Sequence, residues 1–337
     1  MSDGTRIEWT DAVWNPVTGC TKISQGRAHC YAERQARRFS GMNGYPADEP
    51  FKVTLHPDTL DLPLRWRKPR RIFVSSMSDL FHPDVPDEFI DQVFTTMALC
   101  SQHTFQILTK RPERMAAYIN GMRRETIESY GETFIDIPRL QSTPDAWPLP
   151  NVWLGVSVED QQAADERIPL LLQTPASVRF VSAEPLLGSV DVRPYLPQRL
   201  YVCQKCGEEV DDTALDHNDR HAYCGGTLDD NGTTDDGLDW VIASGESGLG
   251  ARPMEVDWAR SLRDQCQAAG VAFLFKQWGE FCCPSQLPDD TWERLDAVNA
   301  NANLDLEAPN EPIRVGKKAA GRLLDGVLHD EYPEVRA

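Results

Sequence analysis

No run of apolar residues in this 337-residue chain approaches the roughly eighteen needed to cross a bilayer, and the N-terminal stretch is polar rather than signal-like. A soluble, cytoplasmic protein with no membrane partner is therefore expected. Positive charge is also short: 34 Lys and Arg stand against 52 Asp and Glu, a net charge of −18, with the densest acidic run over Asp229–Asp239. Such a balance argues against coating nucleic acid non-specifically, because phosphate binding draws on Lys and Arg. It leaves room for a local basic groove at Arg65-Trp66-Arg67-Lys68-Pro69-Arg70-Arg71 or at Lys110-Arg111; the first reads more simply as a solvated face before a strand. No internal repeat is evident. Cysteine, by contrast, is plentiful. Nine cysteines in an intracellular chain point to metal or redox chemistry rather than a disulfide framework. A chain of this length buries one large core plus a small appendage, or two modest domains.

Six apolar runs share one pattern, in which strand-like residues lead into a polar cluster and then a helical stretch. Ile72-Phe73-Val74 precede Ser75, Ser76, Ser78 and Asp79, and Phe105 to Leu108 precede Thr109, Lys110 and Arg111. "NVWLGVSVED" ends at Ser157, Glu159 and Asp160, and "SVRFVSAEPLL" at Ser182 and Glu184. "DWVIASGESG" ends at Ser244, Glu246 and Ser247, and "VAFLFKQWGE" at Lys276, Gln277 and Glu280. Between them, Phe89, Ile90, Val93, Phe94 and Met97 fall on one helical face, as do Trp258, Leu262, Cys266 and Ala269. Near-continuous apolar strands alternating with such helices predict a parallel α/β fold, a full or partial β/α barrel of TIM-like type. A further strand is expected before Cys20. A doubly wound open sheet is the alternative, since strand order is not legible in sequence. The expected organisation is a barrel over residues 1–200 and 239–283, a zinc-ribbon-like insert over 201–238, and a C-terminal loop and closing segment over 284–337. Within the last, "VGKKAAGRLLDG" reads as a short basic helix or a hairpin.

The insert carries Cys203-x2-Cys206, then His217, His221 and Cys224. Two cysteines two residues apart form a tight knuckle, and His221-x2-Cys224 supplies a second pair, completing a tetrahedral Cys3His set. His217 competes as the fourth ligand. Zinc suits mixed sulfur and nitrogen donors, and four protein ligands leave no open position, so a structural zinc is expected. The alternative is reduced cysteines exposed in a loop.

The motifs "WTDAVWNPVTGCTKISQGRAHCYAER", "SSMSDLFHPDVPDEFI", "HTFQILTKRPERM", "NVWLGVSVEDQ", "SAEPLLG", "GESGLGARPMEVDWARSLRDQC" and "FKQWGE" run in order almost from end to end. This series resembles the phage-type three-cysteine-motif family of phages and bacterial genomes. That family is in turn similar to the radical S-adenosylmethionine enzymes, spore photoproduct lyase among them. The resemblance implies a β/α barrel and cysteines at the positions of Cys20, Arg27 and Cys30, whose thiolates would hold a [4Fe–4S] cluster and leave one iron open for S-adenosylmethionine. The sequence departs there. Arg27 stands where the middle cysteine belongs, and a guanidinium offers only donors. His29 and the Cys282-Cys283 pair are the substitutes within the sequence. Ser244-Gly245-Glu246 resembles the glycine–glutamate element that holds the cofactor's amino group; a glycine-rich turn before a helix also suits phosphate.

Asp79, Lys110, Arg111, Glu159, Glu184, Glu246 and Lys276 each follow an expected strand, which would gather them around one barrel mouth. Singly, each also reads as a helix cap or surface charge. Lys276 and Trp278 would pair with and stack on a nucleotide, although a tryptophan closing the barrel explains Trp278 as well. Three functions follow. The first is a radical-type iron–sulfur protein acting on nucleic acid or a nucleotide, with Cys20 and Cys30 on the cluster and Lys110, Arg111 and Lys276 on phosphates. The second is a barrel that has lost catalysis and works as a binding module with a partner protein. The third is a metal-dependent phosphodiesterase or nuclease using Asp79, Glu159, Glu184 and Glu246, with the lack of a His-rich set at the strand ends counting against zinc hydrolysis.

Overall fold

The computed structural model describes residues 4–5, 7–121, 147–211, 215–216, 218–234, 236–287 and 310–334. The expected apolar runs form strands: β1 (Ala12–Trp14), β2 (Arg71–Val74), β3 (Thr104–Thr109), β4 (Val152–Ser157) and β5 (Val178–Ala183). Three strands of the insert follow, β6 (Arg199–Cys203), β7 (Glu209–Asp211) and β8 (Leu228–Thr233). The chain then resumes with β9 (Trp240–Ser244) and β10 (Ala272–Gln277). The main sheet runs β1-β2-β3-β4-β5-β9-β10, and every neighbouring pair is parallel. Strand order follows chain order without a reversal, which is the course of a barrel and not of a doubly wound sheet. The two outer strands do not pair, so the sheet is a curled half-barrel rather than a closed one.

Helices α1 (Tyr31–Arg38), α2 (Asp87–Leu99), α3 (Pro112–Gly121), α4 (Gln161–Leu172) and α5 (Val256–Ala269) make the crossovers among the described residues. Local chemistry sets their ends. The Asp160 carboxylate accepts from the Ala163 amide at 2.9 Å and caps α4, while Gly270, at φ 68°, turns the chain out of α5.

The sheet is apolar on both faces, as parallel strands covered on both sides must be. Toward the helices, Ile72, Val74, Phe105, Ile107, Val181 and Phe273 pack with Val93, Phe94, Ile168 and Leu262. The concave face holds Trp9, Trp153, Phe180, Trp240 and Leu274, joined by Phe73 and Tyr332. Trp240 lies 5.7 Å from Phe180 and 6.0 Å from Trp153, centroid to centroid. This aromatic layer fills the lower half of the concavity, so polar groups collect only above it. The C-terminal segment helps to close that end: the Trp240 indole donates to Glu331 O at 2.9 Å, and Tyr332 stacks between Trp240 and Arg71. Arg71 also pairs with Asp11, and Arg70 lies over Trp66, so both arginines of the Arg65–Arg71 stretch that precede and open β2 are engaged in packing.

In the insert, β6, β7 and β8 form an antiparallel sheet of order β8-β6-β7. Its ends meet where it leaves the sheet, with the Leu238 amide on Tyr195 O at 2.9 Å and the Thr234 amide on Gln198 O at 2.8 Å. "VGKKAAGRLLDG" forms both expected structures in succession, a short helix (Lys317–Ala320) and a hairpin (Leu323–Leu324 with Val327–Leu328). Most of the Asp- and Asn-rich stretch before it lies outside the described residues. Among the described residues no helix is long and apolar enough to cross a membrane.

Gly155 of β4 faces the Phe180 ring across the concave side, and a Cβ there would come within 2.5 Å of it. Gly155→Ala is therefore expected to lower the unfolding free energy by roughly 2 kcal/mol, read as a lower denaturant midpoint at unchanged slope.

Candidate functional site

Beyond the last apolar residue of each strand the sheet no longer pairs on both sides, and this is where charged residues become tolerable. Asp79, after β2, is 1% exposed. It accepts from the Thr109 hydroxyl at 2.7 Å, from the Lys110 amide at 3.2 Å and from Arg111 Nη1 at 2.8 Å. Arg111 reaches further, to Thr21 Oγ1 at 3.0 Å and Cys20 Sγ at 3.6 Å. Glu159, after β4, receives Lys110 Nζ at 2.8 Å and Arg167 Nη1 at 2.9 Å. Burial opposes the charge on Glu159, but Lys110 and Arg167 outweigh it and hold the carboxyl at about 2. Burial pushes Lys110 the other way, down to about 8, against the pull of Glu159.

The opposite side of the mouth carries two more pairs. Lys276 Nζ donates to Glu184 at 2.7 Å. Glu246 is held at three points by Arg252, through Nε at 2.8 Å and through the amide and Nη2 at 2.9 Å. Burial works against the Glu246 charge, and Arg252 overcomes it, so its pKa lies below the usual carboxylate range.

The segment from Cys20 to Cys30 crosses above these pairs. Gly26 sits directly over Lys110 and Glu159: a Cβ there would lie 3.0 Å from Nζ and 3.2 Å from Glu159 Oε1. Arg252 Nη2 holds this loop from the side, donating to Gln25 O at 3.2 Å. Arg27 points inward. Burial disfavours its charge, yet Cys20, Cys30 and Asp79 around it keep its pKa above the ordinary value. Burial likewise pushes the Cys20 thiol up, with Arg27 and Arg111 pulling in the other direction. Burial pushes the phenol of Tyr31, a half-exposed residue, up, with Lys276 pulling in the other direction. The start of α1 is pressed onto the glycine-rich turn, His29 against Gly250 and Arg34 against Gly248.

The mouth thus gathers Cys20, Cys30, Asp79, Lys110, Arg111, Glu159, Glu184, Ser244, Gly245, Glu246 and Lys276. Trp278 is a correction. It is 1% exposed, packs on Phe275 and donates its indole N–H to Leu323 O at 2.8 Å, so its ring serves the core and offers no stacking face. Cys282 and Cys283 belong to the helix-facing core, with Cys283 Sγ against Asn310 O, and neither turns to Cys20. Sequence reasoning missed Arg167 and Arg252. Arg167 had a signal: it shares a helix face with Ala163, Ala164, Ile168 and Leu171, all buried, and an arginine in an apolar stripe needs an acid beneath it.

In the insert, Cys203, Cys206, His221 and Cys224 place one ligand atom each within 4.8 Å of all the others. Cys203 Sγ to Cys224 Sγ is 3.3 Å, Cys206 Sγ to Cys224 Sγ is 3.7 Å, and His221 Nδ1 is 3.3 Å and 3.4 Å from Cys206 and Cys224. Metal–ligand lengths near 2.0 to 2.3 Å require tetrahedron edges of about 3.3–3.8 Å. The set is able to hold a metal ion such as zinc. His217 lies outside the described residues.

Over residues 4–333 the chain matches the profile of a family described as "Protein of unknown function (DUF5131)". The chain belongs to that family. No curated protein and no solved structure matches it.

Glu159→Gln leaves Lys110 and Arg167 without a counter-charge in a buried site, and is expected to cost on the order of 3 kcal/mol at neutral pH. Because the folded pKa of Glu159 lies below its ordinary value of 4.5, its contribution is complete above that range and is lost as pH falls toward about 2. The stability gap between Glu159→Gln and the unaltered protein should therefore narrow in acid, measured by denaturant titration across that range. For the insert, metal analysis of the purified protein should return close to one equivalent of zinc, and Cys224→Ser should release most of it to a chelator that the unaltered protein withstands.

Proposed function

We propose that the mouth of the half-barrel binds a phosphorylated ligand without an iron–sulfur cluster, and that the insert carries a structural zinc. The observation that carries this reading is Arg27. The resemblance to three-cysteine proteins implies a cluster on three thiolates, but the donor set here is two thiols and a guanidinium. That guanidinium lies in the field of both thiols. A guanidinium has no lone pair for iron, so the residues do not fit the cluster.

They fit an anion better. The mouth side chains Arg27, Lys110, Arg111, Arg167, Arg252 and Lys276 are six cations; Asp79, Glu159, Glu184 and Glu246 are four carboxylates. The difference leaves two positive charges, and the Cys20 thiol, pushed up by burial, does not offset them. Two positive charges in a recessed site match a phosphate monoester. The Arg27 guanidinium lies near Cys20, Cys30 and Asp79, and its five N–H donors suit the oxygens of a phosphate.

The charge pairing also weighs against a metal-dependent phosphodiesterase. Asp79, Glu159, Glu184 and Glu246 are each paired with a cation, which a divalent ion would have to displace or share. The insert is read as structural because its four ligands leave no coordination position open and its short strands enclose little core of their own.

The test sets the unaltered protein beside Arg27→Cys and Arg27→Ala. After anaerobic reconstitution the unaltered protein should hold no cluster iron, and Arg27→Cys should gain iron and sulfide. In calorimetric titration with inorganic phosphate the unaltered protein should bind, and Arg27→Ala should bind at least about tenfold more weakly, the loss of one charge-assisted contact. About four irons in the unaltered protein, or phosphate binding indifferent to Arg27, would sink the proposal.

A further inference from the structure

Three buried oxygens at the upper ends of β5 and β10 have no hydrogen-bond partner among the described residues: Ser182 Oγ, Glu184 Oε1 and Gln277 Oε1. Strand register turns them to the concave side. Ser182 shares the concave face with Phe180, two residues earlier on β5, and Glu184 stands two residues further on. On the neighbouring strands Ala243 pairs with Phe275, but Ser244 pairs with Gln277, so Lys276 is an extra residue in a register shift. Phe275 packs toward the helices and Ser244 comes one residue after Ala243. The shift therefore lets Gln277 follow Ser244 to the concave side while Lys276 reaches Glu184 at 2.7 Å. Ser182 is fully buried and Gln277 is 5% exposed.

Buried polar oxygens without partners are uncommon in a folded protein, and three at the ends of β5 and β10, on either side of β9, are harder to leave unmet than one. The side from which a ligand would enter is also defined. The Glu184 and Lys276 side chains keep 17% and 16% of their exposure, whereas Gly26 covers the Lys110–Glu159 pair opposite. Charge decides what the missing donors are. Glu184 is already neutralised by Lys276, so the cluster carries no net charge, and an ammonium would meet Lys276. Neutral donors, hydroxyl groups above all, suit three acceptors beside a lysine.

We infer that the ends of β5 and β10, on either side of β9, form a hydroxyl-reading subsite, so that the ligand is a phosphorylated polyhydroxy compound. This rests on the phosphate reading of the mouth. Tyr31 follows Cys30 in the chain and feels the Lys276 charge, so the Cys20–Cys30 loop and the Glu184–Lys276 pair belong to one mouth. A compound with its phosphate on Arg27 and its hydroxyls on Ser182, Glu184 and Gln277 fills both subsites. A free sugar phosphate and the sugar-phosphate part of a nucleotide share this chemistry.

Calorimetric titration of the full chain with inorganic phosphate, ribose 5-phosphate and adenosine 5′-monophosphate tests the inference. Ribose 5-phosphate should bind at least tenfold more tightly than phosphate. Ser182→Ala and Gln277→Met, each checked for native circular dichroism, should lose most of that gain and keep phosphate affinity. Adenosine 5′-monophosphate binding as tightly as the sugar phosphate identifies a nucleotide as the source; its exclusion identifies a free sugar phosphate. If phosphate binds and the sugar adds nothing, or if the gain survives both substitutions, the subsite is overturned while the phosphate reading stands. If neither phosphate nor ribose 5-phosphate binds, both readings fall.

Discussion

A carboxylate that is almost fully buried must be met by cations, and much of this half-barrel is arranged around that demand at Glu159. The residue leaves the end of β4, takes Lys110 from the end of β3 and Arg167 from α4, and lies beneath Gly26 of the loop between Cys20 and Cys30. One charge thus ties two adjacent strands, a crossover helix and the covering loop. The α4 helix is fixed in register by it, since Arg167 must turn inward among Ala163, Ala164 and Ile168. The loop is held low enough for Arg27 to reach the two thiols only because position 26 has no side chain to collide with the pair below.

The same economy recurs around the mouth. Asp79 binds Arg111, Glu184 binds Lys276 and Glu246 binds Arg252, so each strand end contributes an ion pair rather than an isolated charge. Buried pairs of this kind stabilise less than apolar packing of equal volume would, because desolvation consumes most of the attraction. Their arrangement makes more sense as a pre-organised field than as a source of stability. The aromatic layer below, from Trp9 to Trp240, separates that field from water at the lower end of the sheet.

Much of this was legible in the residues. The six apolar runs, the polar clusters after them and the helical faces of Phe89–Met97 and Trp258–Ala269 specify parallel β/α units, because burial on both faces leaves no other pattern for such strands. The three cysteines of the ligand set were legible from spacing, since a knuckle two residues apart needs no distant partner to orient it, whereas His221 stood beside His217 as fourth ligand until the fold placed it with them. The role of Trp278 was not. Whether an aromatic after a strand lines a mouth or fills a core depends on the hairpin at Leu323 that caps it, and that hairpin lies over forty residues further along. Arg252 escaped notice for the opposite reason, its local pairing to Glu246 being hidden in what reads as a flexible glycine-rich turn.

By itself the sequence determined that the chain alternates parallel strands with amphipathic helices, that its charged residues follow the strands, and that position 27 offers a guanidinium in place of a thiol. Those are properties of local composition and period, which no folding can alter. Only the tertiary structure decided that the sheet stops short of closure, which cation meets which carboxylate, and that three oxygens at the ends of β5 and β10 are left without partners. These depend on strand register and on helix rotation across the sheet, where a shift of one residue turns a side chain to the opposite face, and no local pattern encodes that choice.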